Sequence, residues 1–215
     1  MNVLGARESG EKFRLAVKDL PYEIEIPFVT MPSKDGGVKI ASFNLVGQIR
    51  LNQDLGKLMA AQIREAIGDM EGVAILTVVE KALQITQVVA TDLGLDAVAV
   101  AYNRVKPHME AESRPVIQVG SDSITSGSKF LAVYERDLNL LAEARGVILI
   151  DDVVSSGGTI LGLADLMHEI GRQRGKEAPE ILGIFCVAQE GDKHPYLPAP
   201  LHSLATLPKP VRQTK

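Results

Sequence analysis

Residues 146–160, GVILIDDVVSSGGTI, constrain the fold and the chemistry of this chain more than any other segment. The segment has the pattern of a short apolar strand, two adjacent acids, a turn of small residues and the start of an apolar helix. In open parallel sheets, ligands bind at the edge where strands end and helices begin. The segment therefore predicts a binding site at the carboxyl end of a buried strand.

The rest of the chain repeats the alternation of strand and helix. Apolar runs with little alternation, which suit strands covered on both faces, occur at 73–79, 97–101, 147–150 and 181–188. Helical spacing of apolar residues occurs at 52–68, 82–93 and 160–170. This order predicts an α/β fold in which a parallel twisted sheet is flanked by helices.

The two ends of the chain differ from this central part. Residues 24–31 and 38–43 predict two short strands joined by a turn. We divide the 215 residues into an N-terminal segment at 1–50, a core at 51–207 and a tail at 208–215 that we expect to be frayed.

One long connection interrupts the core. Residues 107–129 have no persistent apolar period, and a connection of this length predicts either a lid over a functional site or a disordered excursion. A strand is expected to resume at 130–134, and Tyr134 and Glu135 are assigned to it rather than to catalysis.

The small residues at 155–159 suit a phosphate. Two glycines allow backbone N–H groups to converge, hydroxyls add donors, and the following helix contributes its positive end. The loop has neither the lysine of a Walker A motif nor the three glycines of a dinucleotide fingerprint. The alternative is a flexible linker in which Asp152 only caps a turn. The predicted phosphate ligands are Ser155, Ser156, Gly157, Gly158 and Thr159.

Asp151 and Asp152 add a second function beside this loop. Adjacent carboxylates accept hydrogen bonds from a vicinal diol and, directly or through water, help to hold Mg²⁺ together with substrate phosphates. A phosphate next to a diol is the pattern of ribose 5-phosphate.

The stretch ILIDDVVSSGGT resembles the 5-phosphoribosyl-1-pyrophosphate (PRPP) signature of type I phosphoribosyltransferases. A weaker resemblance extends over 38–207 and is closest to the xanthine and adenine phosphoribosyltransferases. It implies a hood formed by the chain termini, the lid at 107–129, and Mg²⁺ bound with PRPP. It also implies a homodimer.

The resemblance assigns further site residues. It implies that pyrophosphate is bound by Glu80, Lys81, Ala82, Arg104 and Lys106. Lys81, Arg104 and Lys106 have the alternative of being solvated surface cations. Lys129 is the candidate lid cation, and the base-contacting positions are Val38, Asn44 and Gln189, with Asp192 nearby. Xanthine-specific enzymes have a lysine about where Gln189 lies, which argues against xanthine.

The function implied is transfer of the 5-phosphoribosyl group from PRPP to a purine base, with release of pyrophosphate, as in purine salvage. Asp151 and Asp152 are the catalytic candidates. Two alternatives stay open. One is a regulatory protein that binds PRPP or a purine nucleotide without catalysis, and the other is a transferase for a non-purine base such as orotate or uracil.

Composition limits the partners. The net charge of −4 and the lack of a long basic run argue against nucleic acid. No apolar segment is long enough for a signal or a membrane span, so we expect a cytoplasmic protein with no membrane partner. The single cysteine, Cys186, lies in an apolar run and is expected to be a buried small hydrophobe.

Overall fold

A five-stranded parallel sheet forms the centre of the protein. The computed structural model describes residues 7–33, 36–104, 117–123, 127–191 and 196–214. The predicted α/β class with a parallel sheet and flanking helices is confirmed. Within the described residues, no helix combines the length and apolar character needed to span a bilayer.

The elements follow one another in an order that alternates strands and helices in the core. The strands are β1 (Arg7–Leu15), β2 (Ile24–Ser33), β3 (Gly36–Ala41), β4 (Val73–Val78), β5 (Ala99–Ala101), β6 (Ile117–Ser123), β7 (Gly127–Val133), β8 (Gly146–Val154), β9 (Glu180–Glu190), β10 (Leu201–Leu207) and β11 (Val211–Thr214). The helices are α1 (Ile49–Ile67), α2 (Leu83–Leu93), α3 (Glu135–Ala142) and α4 (Gly158–Arg174).

The parallel sheet has the order β10-β9-β8-β4-β5 and is covered on both faces. Ile148 and Ile150 of β8 belong to a core shared with α1 and α2, whereas Val147 and Leu149 belong to a core shared with α3 and α4. All four side chains are fully buried. Burial on alternate faces explains why the β8 sequence is continuously apolar, as a strand between two helical layers must be.

A second sheet has the order β1-β2-β3-β11. It is antiparallel, and β11 at the C-terminus pairs with β3. The expectation of a frayed tail at 208–215 is therefore wrong for Val211–Thr214, because that segment pairs with β3 as an antiparallel strand. The strand β1 was not predicted. Both chain termini contribute to this sheet, which we call the terminal sheet.

The connection between β5 and α3 contains regular structure. Its described parts form an antiparallel pair, β6 and β7, in which Gln118 lies opposite Ala132. The backbone of Ala132 also exchanges two hydrogen bonds with Tyr102, which ties the pair to the end of β5. Assigning Glu135 to a strand is wrong, since it is the first residue of α3 and Tyr134 is its N-cap.

Candidate active site

A cleft of about 490 Å³ opens at the carboxyl edge of the parallel sheet. Five chain segments meet there: the end of β3 with the residues after it, the turn after β4, the residues after β5, the end of β8 with the glycine loop, and the end of β9. The lining residues are Ile40, Ala41, Ser42, Phe43, Val78, Val79, Glu80, Lys81, Asn103, Asp151, Asp152, Val153, Ser155, Thr159 and Glu190.

The two predicted acids lie inside this cleft and are almost completely buried. Asp151 and Asp152 are each 7% exposed. The backbone N–H of Asp152 donates to Asp151 Oδ1 over 2.9 Å. Among the described residues, Asp152 Oδ2 has no hydrogen-bond donor within reach. A buried carboxylate oxygen without a donor is costly, so this atom indicates a place for a ligand hydroxyl, a water or a cation.

The glycine loop, residues 155–159, leads from β8 into helix α4. Gly157 is the N-cap, with a φ of 78°, and makes no side-chain cap hydrogen bond. A Cβ at this position would come within 2.9 Å of a Leu197 methyl group. A left-handed backbone in so little space requires glycine. The exposed hydroxyls of Ser155 and Ser156 and the positive end of a 17-residue helix then face the same small hollow.

The turn after β4 forms another wall. The Val79 N–H donates to the carbonyl of Ala101 over 3.0 Å, and the Val79–Glu80 peptide bond is cis. Glu80 and Lys81 are exposed and line the cleft, while Ala82 is 1% exposed and is the N-cap of α2. The predicted pyrophosphate turn thus presents one carboxylate and one ammonium group to the cavity.

Only some of the other predicted cations lie within the described residues. Arg104 is exposed and directly follows Asn103, which lines the cleft. Lys106 and Asp192 lie outside the described residues. The backbone of Lys129 belongs to β7 and pairs with Ser121.

The predicted base-contacting positions lie near the cleft but are not among its described lining residues. Val38 pairs with Met31 and Arg212 inside the terminal sheet. The Asn44 Oδ1 accepts a hydrogen bond from the Val46 N–H over 3.2 Å, which holds it in a local turn. Gln189 lies between Val154 and Thr206 in the parallel sheet.

The cleft contains Glu190 instead, together with Asn103 and four residues around the end of β3. Side chains alternate along a strand, so neighbours in sequence point to opposite faces. Partial burial raises the pKa of the Glu190 carboxyl. Sequence reasoning missed Glu190 because it adjoins no motif, and only the packing of the terminal sheet against this edge reveals the position.

Comparison with known protein families identifies the family to which this chain belongs. A family model described as "Phosphoribosyl transferase domain" matches residues 47–194, well over half of the chain. The chain belongs to this phosphoribosyltransferase family. The matched residues include the acid pair, the glycine loop, the turn after β4 and Glu190. No curated protein sequence matches the chain.

Solved phosphoribosyltransferase structures share the fold at low sequence identity. An adenine phosphoribosyltransferase from Thermoanaerobacter pseudethanolicus is 15% identical with a TM-score of 0.54, and the match covers 82% of this chain and 94% of that one. The enzyme from Leishmania donovani is 13% identical with a TM-score of 0.52, covering 81% and 72% respectively. A further adenine phosphoribosyltransferase is 16% identical with a TM-score of 0.50, covering 72% and 80%. At these identities, the likeness establishes the fold.

Proposed function

We propose that this protein transfers the 5-phosphoribosyl group of PRPP to a purine base and releases pyrophosphate. The observation that carries the proposal is the buried Asp152 Oδ2, which has no donor among the described residues although Asp152 lines the cleft beside the glycine loop. A ribose hydroxyl would supply the missing donor. The fold then keeps one buried carboxylate oxygen without a donor until substrate arrives, a cost that functional sites tolerate.

The glycine loop is the proposed binding site for the 5-phosphate. The amides at the start of α4 would donate to phosphate oxygens, and Ser155, Ser156 and Thr159 would add hydroxyl donors. With the phosphate held there and the ribose hydroxyls on Asp151 and Asp152, the anomeric carbon faces the middle of the cleft. Two-point attachment of this kind supplies much of the orientation that a transfer reaction needs.

Pyrophosphate would occupy the side of the cleft bounded by the turn at 79–82. Lys81 supplies positive charge there, and Arg104 follows a residue that lines the same cavity. We assign Glu80 and Ala82 to the backbone of this site, Lys106 to pyrophosphate binding beside Arg104, and Lys129 to the lid. The C1–oxygen bond to pyrophosphate breaks while the C1–nitrogen bond forms, so the residues act by holding both groups and stabilising charge.

The carboxylates also fit Mg²⁺. This cation binds through one or two carboxylates plus substrate phosphates and keeps several waters, so a dedicated cage of ligands is not required. Asp151 and Asp152 are the residues that would hold it, with the free Oδ2 of Asp152 as one contact. Bound Mg²⁺ would neutralise the leaving pyrophosphate. Within the described residues, no group of three or more potential metal ligands is gathered.

The lining of the cleft supports a purine as the acceptor. The end of β3 and the residues after it bring Ile40, Ser42 and Phe43 to the cavity that holds the acid pair, so apolar and polar side chains line it together. Adenine phosphoribosyltransferases share this fold, which supports a purine as the acceptor. We further propose that the protein works in the cytoplasm as a homodimer.

One observation favours a second function, the binding of PRPP or a nucleotide without turnover. Glu80 places a carboxylate in the turn that would bind pyrophosphate, and no glycine opens that turn to the ligand. The Glu80 carboxylate and a bound pyrophosphate are both negative, so they would repel each other in a partly buried cleft. A sensor would keep the 5-phosphate and ribose contacts and lose the pyrophosphate contacts.

Pyrophosphate release tests the proposal. The wild-type protein is assayed with Mg²⁺ and PRPP against adenine, guanine, hypoxanthine and xanthine, beside Asp152→Asn and the control Asp165→Asn, an exposed acid on α4. Release with one purine, retained in the control and slowed by about 10- to 100-fold in Asp152→Asn, supports the transferase. Binding of PRPP without release from any base supports the sensor, and no binding of PRPP overturns both.

A further inference from the structure

Glu190 is a charged residue of the cleft that the proposed reaction does not use. It ends β9, opposite Leu207 of β10, and lines the same cavity as the acid pair. Its carboxylate has no hydrogen-bond or ion-pair partner among the described residues. The side chain is only partly buried, so its oxygens remain available to a ligand in the cleft.

The position of Glu190 separates it from the ribose contacts. Asp151 and Asp152 come from β8, the neighbouring strand, and the glycine loop follows them directly. Glu190 lies on the far side of that strand from β4, whose turn carries Glu80 and Lys81. If the ribose lies over β8 and pyrophosphate over the turn after β4, the space in front of β9 is left for the base.

An ionised carboxylate accepts two parallel hydrogen bonds and donates none. Of the four common purines, guanine alone presents two adjacent donors, its N1–H and its amino group, on the edge away from the nitrogen that is ribosylated. Hypoxanthine offers one donor beside a carbonyl oxygen, and xanthine offers one donor between two carbonyl oxygens. Adenine offers an amino group beside a ring nitrogen that only accepts. Each carbonyl or ring nitrogen would face the carboxylate without a proton between them.

We infer that Glu190 selects the base, and that the preferred base is guanine or a close 2-amino-6-oxopurine. The inference rests on the proposed transfer reaction and names the substrate class of the same cleft. A 2-amino-6-oxopurine donates to both carboxylate oxygens of Glu190. A base that presents an acceptor beside its donor leaves one of these oxygens unpaired. Sites that hydrogen-bond a substrate reject analogues strongly for this reason.

Glu190→Gln tests the assignment because an amide has one acceptor and one donor. The amide pairs with N1–H and O6 of hypoxanthine as well as with those of guanine, so the preference for guanine over hypoxanthine is lost. The control is Glu180→Gln, an exposed acid at the opposite end of the same strand. The measurement is kcat/KM for each of the four purines at saturating Mg²⁺ and PRPP.

We expect guanine to be the best substrate of the wild-type protein. In Glu190→Gln, the ratio of guanine to hypoxanthine in kcat/KM should fall by about 10- to 100-fold, the contribution of one charge-assisted hydrogen bond. In Glu180→Gln, the ratio should not change. Glu190→Ala should also lower the ratio, through loss of both guanine contacts.

The outcomes separate this inference from the proposed function. Turnover that is fastest with adenine or xanthine overturns the role of Glu190 and leaves the transferase intact, and this ranking needs no variant. If the guanine-to-hypoxanthine ratio in kcat/KM is unchanged in Glu190→Gln, the role of Glu190 is likewise overturned and the transferase is left intact. Absence of turnover with every base overturns the transferase and this inference with it.

Discussion

The Leu197 side chain closes over Gly157, so that a Cβ on this glycine would lie 2.9 Å from the Leu197 Cδ2 atom. Gly157 also has a φ of 78°, which side-chain-bearing residues rarely adopt. Two independent constraints therefore fix glycine at the N-terminus of α4. Leu197 belongs to the segment between β9 and β10, and it ties the glycine loop to a part of the chain 40 positions away.

Gly157→Ala should weaken PRPP binding as well as stability. The left-handed backbone costs about 1–2 kcal/mol for alanine, and the clash displaces either the loop or Leu197. Gly175→Ala is the matched control, since Gly175 has a φ of 63° at the other end of α4 and a Cβ added there would meet no atom within 4 Å. Calorimetric titration with Mg-PRPP and thermal unfolding check both variants. Equal loss of PRPP affinity in the two variants would contradict a specific role for Gly157.

Asp152→Asn should lower the activity of the protein without lowering its stability. Neutralising a buried carboxylate that lacks a donor removes a desolvation cost, so the variant should unfold at a temperature equal to or above that of the wild-type protein. Loss of a charge-assisted hydrogen bond to ribose should lower kcat/KM about 10- to 100-fold. Thermal unfolding and pyrophosphate release on the same preparation measure the two effects. A variant that is destabilised and fully active would show that Asp152 serves the fold.

Lys81→Ala should raise the KM for PRPP by about tenfold, and more at low salt than at high salt. A cation facing pyrophosphate in a partly exposed cleft is worth about 1–2 kcal/mol and is screened by ions. Lys57→Ala, an exposed lysine on α1, is the control. Steady-state kinetics at two ionic strengths provide the measurement. An unchanged KM for PRPP would mean that Lys81 is a solvated surface residue that does not contact pyrophosphate.

Glu190 should make stability depend on pH. Partial burial raises the pKa of its carboxyl in the folded state, so the native state holds its proton more tightly than the unfolded chain does. The wild-type protein therefore loses stability relative to Glu190→Gln as pH rises from about 4 through the folded-state pKa. Thermal unfolding of both proteins between pH 4 and 7 checks the sign. A difference that grows as pH falls would contradict it.

Cys186 should be inert in the folded protein. It is fully buried, and burial raises the pKa of its thiol, so almost no thiolate is present at neutral pH. A thiol-specific chromogenic reagent should react at least about 100-fold more slowly with the native protein than with the protein in denaturant. Rapid modification under native conditions would mean that the β8–β9 region opens readily.

The sequence predicted best those features whose signal is local. Asp151, Asp152 and the glycine loop are contiguous, and the apolar run before them has the length and composition of a strand buried on both faces. The structure brings these residues to one sheet edge with Glu80 and Lys81, which the family resemblance had assigned to the pyrophosphate site. Parallel topology puts all such strand ends on the same side, so their convergence follows from the order of elements.

Features that depend on distant partners escaped prediction. The strand β11 is a short polar segment that becomes regular because β3 offers it an edge. Helix α3 begins at Glu135 immediately after β7, where no turn residue separates the two periodicities. Glu190 follows an apolar strand like many surface acids, and only the approach of the terminal sheet makes it part of a cleft. Long-range packing, not local propensity, decides each of these cases.

Detection of the nucleotide product tests the central claim most directly. The protein is incubated with Mg²⁺, PRPP and each of the four purines, and the mixture is separated by chromatography with mass detection. The account predicts a purine ribonucleoside monophosphate formed in equal amount to pyrophosphate in the wild-type protein, and formed about 10- to 100-fold more slowly in Asp152→Asn. PRPP that remains intact with every base, in the presence of a folded protein that binds it, would contradict phosphoribosyl transfer to a purine.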